Sequence, residues 1–157
     1  IKIRVKNGDI MIIDKKVAEK SKLLNELVKE LADEEDDIPV FEFIDRDTMN
    51  LVITFMEYHS KNPMTEIKKP MKSNDLNECG VSKWDVEFLD VDDKILIQLA
   101  TASDMFDIVE LFELTSIKIA SKMHGKQLNE LVNEFSLKVD DKDITKLNKT
   151  NCWYEGD

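Results

Sequence analysis

The sequence predicts an α+β fold: a small three-stranded sheet with packed helices, followed by a C-terminal helical extension. Three observations predict it. Residues 1–14 read as a β-hairpin, residues 38–44 read as one further strand, and after residue 84 the apolar residues recur only at helical spacing.

In residues 1–5, Ile1, Ile3 and Val5 alternate with Lys2 and Arg4, the period-two pattern of a half-buried strand. Asn7-Gly8 suits a tight turn, because both residues tolerate positive φ, and 9–14 is the return strand. Residues 15–31 read as one helix on Val17, Leu24, Leu27, Val28 and Leu31. The acids of 33–37 make a solvated turn. The apolar run 38–44 has strand length, with Pro39 near its start, where a missing N–H is tolerated. Asp45 or Asp47 caps a helix over 47–59 whose stripe is Met49, Val52, Ile53, Met56 and Tyr58. No period survives in 60–83, which holds Pro63, Pro70, Asn74 and Gly80, and a long flexible loop is expected there. A helix over 92–103 follows on Ile95, Leu96, Leu99 and Ala102. Ser103 or Asp104 then starts a helix over 107–123, where Ile108, Leu111, Phe112, Leu114, Ile117, Ile119, Ala120 and Met123 cover nearly the whole circumference. That helix is expected to be central. Gly125 fits a left-handed C-cap. Residues 127–135 and a last stretch from Asp140 or Asp141 to near Trp153 close the chain as two short helices.

The length of 157 residues favours one domain, or one domain with an appended element. Hydrophobic residues at 42% provide for a core, and charged residues at 35% give a well-solvated surface. The net charge of −11 repels phosphates and anionic lipid, so neither nucleic acid nor membrane is expected as a partner, and basic protein surfaces fit better. No apolar run approaches the roughly 20 residues that span a bilayer. Cys79 and Cys152 belong to no cluster, which fits a reducing compartment, and a cytoplasmic and nuclear location is expected, with no secretory leader before Ile1.

A search for chemistry mostly fails. His59 and His124 lie outside any metal-ligand spacing and read as polar tips at helix ends. Cys79 reads as an incidental thiol in a polar loop. The four glycines form no phosphate-binding or dinucleotide-binding loop, and no nucleophile motif is present. No catalytic residue, metal site or cofactor is expected, and the chain does not read as an enzyme. Surface remains. The two short terminal helices carry Leu128, Leu131, Val132, Phe135, Leu137, Ile144, Leu147 and Trp153, more apolar surface than they can enclose between themselves. Six such side chains left wet would forgo about 9–18 kcal/mol, at about 1.5–3 each. Either the tail folds back on the first half, or it forms a groove for a partner's amphipathic helices.

Taken in order, several stretches resemble a known family. They are Asn7-Gly8-Asp9-Ile10, the acidic turn running into Ile38-Pro39-Val40, Tyr58-His59 before a loop with Pro63, and Trp84-Asp85-x-Glu87-Phe88-Leu89. Asp107-Ile108, Gly125-Lys126, Phe135 and Asn151-x-Trp153 follow. The chain resembles the S-phase kinase-associated adaptor family, the small subunit that links F-box proteins to a cullin in ubiquitin ligases. Elongin C is similar in fold but lacks a C-terminal extension. The resemblance implies a BTB/POZ fold over 1–123 and a partner-binding helical extension over 124–157. It also implies that Trp84, Phe88 and Leu89 re-anchor the chain to the core after the loop, with Asp90 or Asp92 starting the next helix.

By position, the same resemblance implies that an F-box partner packs on Phe112, Ser116, Ile119, Met123, Leu128, Leu131, Phe135, Leu137, Leu147 and Trp153, and that a cullin meets Asp104 and Met105. The chain departs from the family at three places. Asp104-Met105-Phe106-Asp107 stands where Asn-Tyr-Leu-Asp is usual, Gln127-Leu128 replaces Thr-Pro, and residues 140–150 carry three lysines where glutamates are usual. Two functions follow as expectations. The first is a non-catalytic adaptor between an F-box substrate receptor and a cullin. The second is a structural component of a chromosome or kinetochore-type assembly that self-associates as a homodimer, or binds an F-box-like protein without a cullin.

Overall fold

The computed structural model describes residues 1–30, 38–68, 73–126, 130, 132 and 133. The chain divides into two units, 1–122 and 123–157. Among the described residues, the first unit is α+β, with a three-stranded mixed sheet and six helices.

Strands β1 (Lys2–Val5) and β2 (Ile10–Ile12) form the expected antiparallel hairpin, with Ile3 opposite Met11. Asn7 and Gly8 take φ of 72° and 86° in the turn, a conformation that Asn and Gly accept most readily. Strand β3 (Val40–Phe41) pairs parallel with β1, so the sheet order is β2-β1-β3. The strand expected over 38–44 is shorter because the chain turns after Phe41, and Ile44 then drops into the core.

The helix expected over 15–31 is two helices, α1 (Lys15–Ala18) and α2 (Lys22–Glu30). Ser21 explains the break. It is fully buried, its hydroxyl oxygen accepts the N–H of Leu24, and its O–H is donated to the carbonyl of Phe106 85 residues away. A serine that caps one helix and ties it to a distant corner cannot continue the previous helix.

Helix α3 (Arg46–His59) is capped by Asp45, whose carboxylate accepts the Thr48 N–H at 2.8 Å. That hydrogen bond, helped by the nearby Lys6 charge and opposed by partial burial, holds the Asp45 carboxyl below its ordinary pKa. Met49, Val52, Phe55 and Met56 are fully buried, so Phe55 joins the stripe that the sequence pattern left without it.

Residues 60–82 contain no helix or strand among those described. The expected flexible loop is nevertheless tethered: Ile67, Leu76, Cys79 and Val81 are buried in the core. Their spacing is aperiodic because none is carried by a helix or strand: Leu76 and Cys79 lie in turns, and Ile67 and Val81 in irregular backbone. Cys79 is therefore a core residue and not an exposed incidental thiol.

Helix α4 (Lys83–Phe88) follows, and its packing corrects the reading of His59. The imidazole is buried, not a polar tip. Nε2 lies 2.9 Å from Asp85 Oδ1 and Nδ1 lies 2.9 Å from the Asn62 carbonyl. Asp85 also takes the Ser82 hydroxyl proton at 2.7 Å, while the Ser82 oxygen accepts the Asp85 N–H. Around this pair, Trp84 stacks on Tyr58 with ring centroids 3.7 Å apart and on Phe88 at 5.1 Å, and Leu89 is fully buried. Trp84, Phe88 and Leu89 thus anchor the chain as expected.

Helix α5 (Asp93–Met105) runs past Ser103 and Asp104 instead of restarting there. The bend comes at Asp107, at φ 49°, and α6 (Val109–Met123) begins two residues later. Phe106 fills this corner against Phe41 and Phe43, at centroid distances of 5.0 and 5.6 Å. In the second unit, Gly125 has φ 79° and Lys126 N–H bonds to the Met123 carbonyl, a left-handed end to α6. Apart from helical residues 130, 132 and 133, the expected terminal helices lie outside the described residues.

Removing one member of a buried hydrogen-bonded pair leaves the other member's polar group without its partner. Asp85→Ala is expected to cost about 3–5 kcal/mol in urea unfolding, far more than a surface substitution. Asp45→Ala is expected to cost about 1 kcal/mol. Because the folded Asp45 pKa is lowered, its contribution is complete above the ordinary carboxylate range. It is lost as pH falls through the folded value, so wild type and Asp45→Ala should converge in acid.

Candidate partner-binding surfaces

Two exposed apolar faces stand out in the first unit. The first is on α6. Leu111, Leu114, Thr115 and Ile117 face the core, and the Thr115 hydroxyl bonds back to the Leu111 carbonyl at 2.9 Å. Val109, Phe112, Ser116 and Ile119 follow one another at helical spacings of three and four residues along a different side. Val109 is 62% exposed and Phe112 43%, Ser116 and Ile119 are half-buried, and Ala120 beside them is exposed. Met123, the last residue of α6 and the first of the second unit, is 42% exposed. The expectation of a central α6, buried all round, is therefore corrected: one side packs and another is presented.

The helix is held from both ends. Lys20 pairs with Glu110 at 3.2 Å, and Lys122 with Asp93 of α5 at 2.6 Å. Of the residues assigned by resemblance, Phe112, Ser116 and Ile119 share this presented side. Leu128, Leu131, Phe135, Leu137, Leu147 and Trp153 lie outside the described residues. Val109, between Ile108 and Leu111 of the apolar run, was not singled out from the sequence.

The second face is on α5. Ile97, Thr101, Asp104 and Met105 recur at four, seven and eight residues and are all exposed. Ile97 and Thr101, with Phe43, Ile44 and Asp45 from the turn before α3 and Thr48 from its first turn, line a groove of about 120 Å³. The Thr48 N–H bond that lowers the Asp45 pKa favours its charged form there, and Asp104 adds a second carboxylate on the same side of α5. The groove suits a partner that offers apolar side chains flanked by a cation. Asp104 and Met105, which the resemblance assigns to a cullin, are exposed on this side of α5; Ile97 and Phe43 were not singled out from the sequence. Phe43 sits in a run read as strand, where alternation would have placed it with buried Phe41.

Neither face holds a nucleophile beside a base. A hollow of about 750 Å³ lies between residues 64–68 and α6 and is lined by Met64, Thr65, Glu66, Ile67, Lys68, Glu110 and Glu113. Among the described residues, no group of three or more His, Cys, Asp or Glu is placed to hold a metal ion. No described helix is long and apolar enough to cross a membrane.

No protein-family model matches the chain. Curated proteins do. It is 25% identical to an S-phase kinase-associated protein 1 homolog of Tetrahymena thermophila, covering 99% of the chain and 93% of that protein. It is 28% identical to a Skp1-related protein of Caenorhabditis elegans, covering 99% and 91%. It is 25% identical to the E3 ubiquitin ligase complex SCF subunit sconC of Arthroderma otae, covering 95% and 90%.

The exposure on α6 separates surface from core by a direct measurement. Phe112→Ser is expected to change unfolding free energy by no more than about 0.5 kcal/mol, whereas Leu111→Ala, one residue away, costs about 2–5 kcal/mol. Urea denaturation of the two variants checks both values.

Proposed function

We propose, from the premise that this chain is a divergent member of the Skp1 family, that it is a non-catalytic adaptor in an SCF-type E3 ubiquitin ligase. The observation that carries this reading is similarity over 95–99% of the chain to proteins named for that family and that complex. Residues 1–123 take the BTB/POZ arrangement, and residues 124–157 are the partner-binding extension. The protein acts in the cytoplasm and nucleus. An F-box protein packs on Phe112, Ser116, Ile119 and Met123 of α6 together with Leu128, Leu131, Phe135, Leu137, Leu147 and Trp153. A cullin docks on the α5 groove, at Asp104 and Met105 with Ile97 and Phe43.

The mechanism is tethering. An adaptor that holds a substrate receptor and a cullin arm at once turns their encounter into an intramolecular event, raising effective concentration without bond chemistry. Two separately exposed apolar faces on one compact unit support this reading, since a monomer gains nothing by leaving Val109, Phe112, Ile97 and Met105 wet.

Calorimetry with a purified F-box protein and a cullin N-terminal fragment tests the assignment. Phe112→Ala and Trp153→Ala are each expected to weaken F-box binding by about 2 kcal/mol and leave cullin binding intact. Ile97→Glu with Met105→Glu is expected to do the reverse. Unchanged affinities remove these residues from the surfaces. A stable homodimer with F-box affinity and no cullin affinity replaces the adaptor reading with the assembly component.

A further inference from the structure

The β2 edge is a third surface, carried by residues that neither proposed partner uses. Val5 and Ile13 donate their N–H groups to the Asp9 and Ile1 carbonyls, so the odd-numbered residues of the return strand bond to β1. Ile10 and Ile12, between them in register, turn their N–H and C=O groups to the open side of the sheet. The described residues supply no strand beyond β2. The side chains on this strand are also apolar and wet: Ile12 is 76% exposed and Ile10 49%. Edge strands usually avoid this combination, because it is a template for pairing with another chain.

Charge selects the occupant. Residues 1–16 hold five cations and two anions within a chain of net charge −11. Lys2 and Arg4 lie opposite Ile12 and Ile10 on the exposed face of the sheet, and among the described residues neither has an ion-pair partner. Lys15 and Lys16 follow the strand directly and are exposed. Both anions are engaged: Asp9 faces Arg46 at 3.7 Å, and Asp14 accepts the Lys16 N–H at 2.8 Å. A second copy would bring the same cations against these and add −11 to −11. A nucleic acid would meet the negative field of the whole chain and gain nothing from the isoleucines.

We propose that the β2 edge accepts an extended acidic peptide segment of a protein partner as a fourth strand. Apolar residues of that segment lie beside Ile10 and Ile12, and flanking carboxylates meet Lys2, Arg4, Lys15 and Lys16. Backbone pairing supplies the geometry, and the side chains supply the selection.

Residue-resolved amide hydrogen exchange by NMR tests this on the whole chain, with acetylated and amidated Glu-Glu-Val-Thr-Val-Glu-Glu as the probe. Saturating peptide is expected to slow exchange at Ile10 and Ile12 by about tenfold or more and to leave Val5 and Ile13 unchanged. Lys2→Glu, an exposed change that leaves folding intact by circular dichroism, is expected to raise the peptide Kd about threefold or more. The matching Lys-Lys-Val-Thr-Val-Lys-Lys peptide is expected not to protect the edge. Absence of slowing, equal slowing by the lysine peptide, or slowing that grows with protein concentration without peptide (self-pairing) overturns the proposal.

Discussion

The buried His59–Asp85 pair is the constraint on which the rest of the first unit depends. Both ring nitrogens of His59 are engaged, Nδ1 at 2.9 Å from the Asn62 carbonyl oxygen and Nε2 at 2.9 Å from an Asp85 carboxylate oxygen. The pair has almost no solvent access, and the Ser82 hydroxyl donates to the other carboxylate oxygen. It fastens the end of α3 to the start of α4 across an aperiodic stretch of more than twenty residues. The Tyr58–Trp84–Phe88 stack seals it from water. Once α4 is pinned, Leu89 and then α5 and α6 are directed over the core, and both proposed partner surfaces are set.

Such ordering matters for the proposed adaptor role. An adaptor contributes geometry, and each residue it presents already ordered lowers the cost of association. Here the ordering is done by groups that touch no partner in the proposed scheme: the Ser21 hydroxyl bound to the Phe106 carbonyl, the packing of Phe41 on Phe106, and the ion pairs at the two ends of α6. Apolar area on α5 and α6 stays exposed on an otherwise well-filled unit, which is the distribution expected of a surface completed by another chain.

Much of this was legible in the sequence where local chemistry decides structure. Asn7-Gly8 announced the hairpin, Asp45 the start of α3, Gly125 the end of α6, and the cluster of Trp84, Phe88 and Leu89 the return to the core. The misses share a cause: long-range contacts overrode a local pattern. Ser21 breaks a helix because Phe106 is there to receive its proton. His59 is buried because Asp85 comes to meet it. Ile67, Leu76, Cys79 and Val81 enter the core from turns and irregular backbone, so no period betrays them. On the candidate surfaces, Phe112, Ser116 and Ile119 could be placed by resemblance, but only the packing shows that Val109, Ile97 and Phe43 share those faces. A helix with apolar residues all round does not declare which side is covered.

Sedimentation velocity on an equimolar mixture of this chain, an F-box protein and a cullin N-terminal fragment tests the central claim most directly. The account predicts one ternary species with a single copy of each, absent when this chain is left out. A mixture in which the cullin fragment sediments alone, while the chain and the F-box protein travel together or the chain pairs with itself, would contradict it.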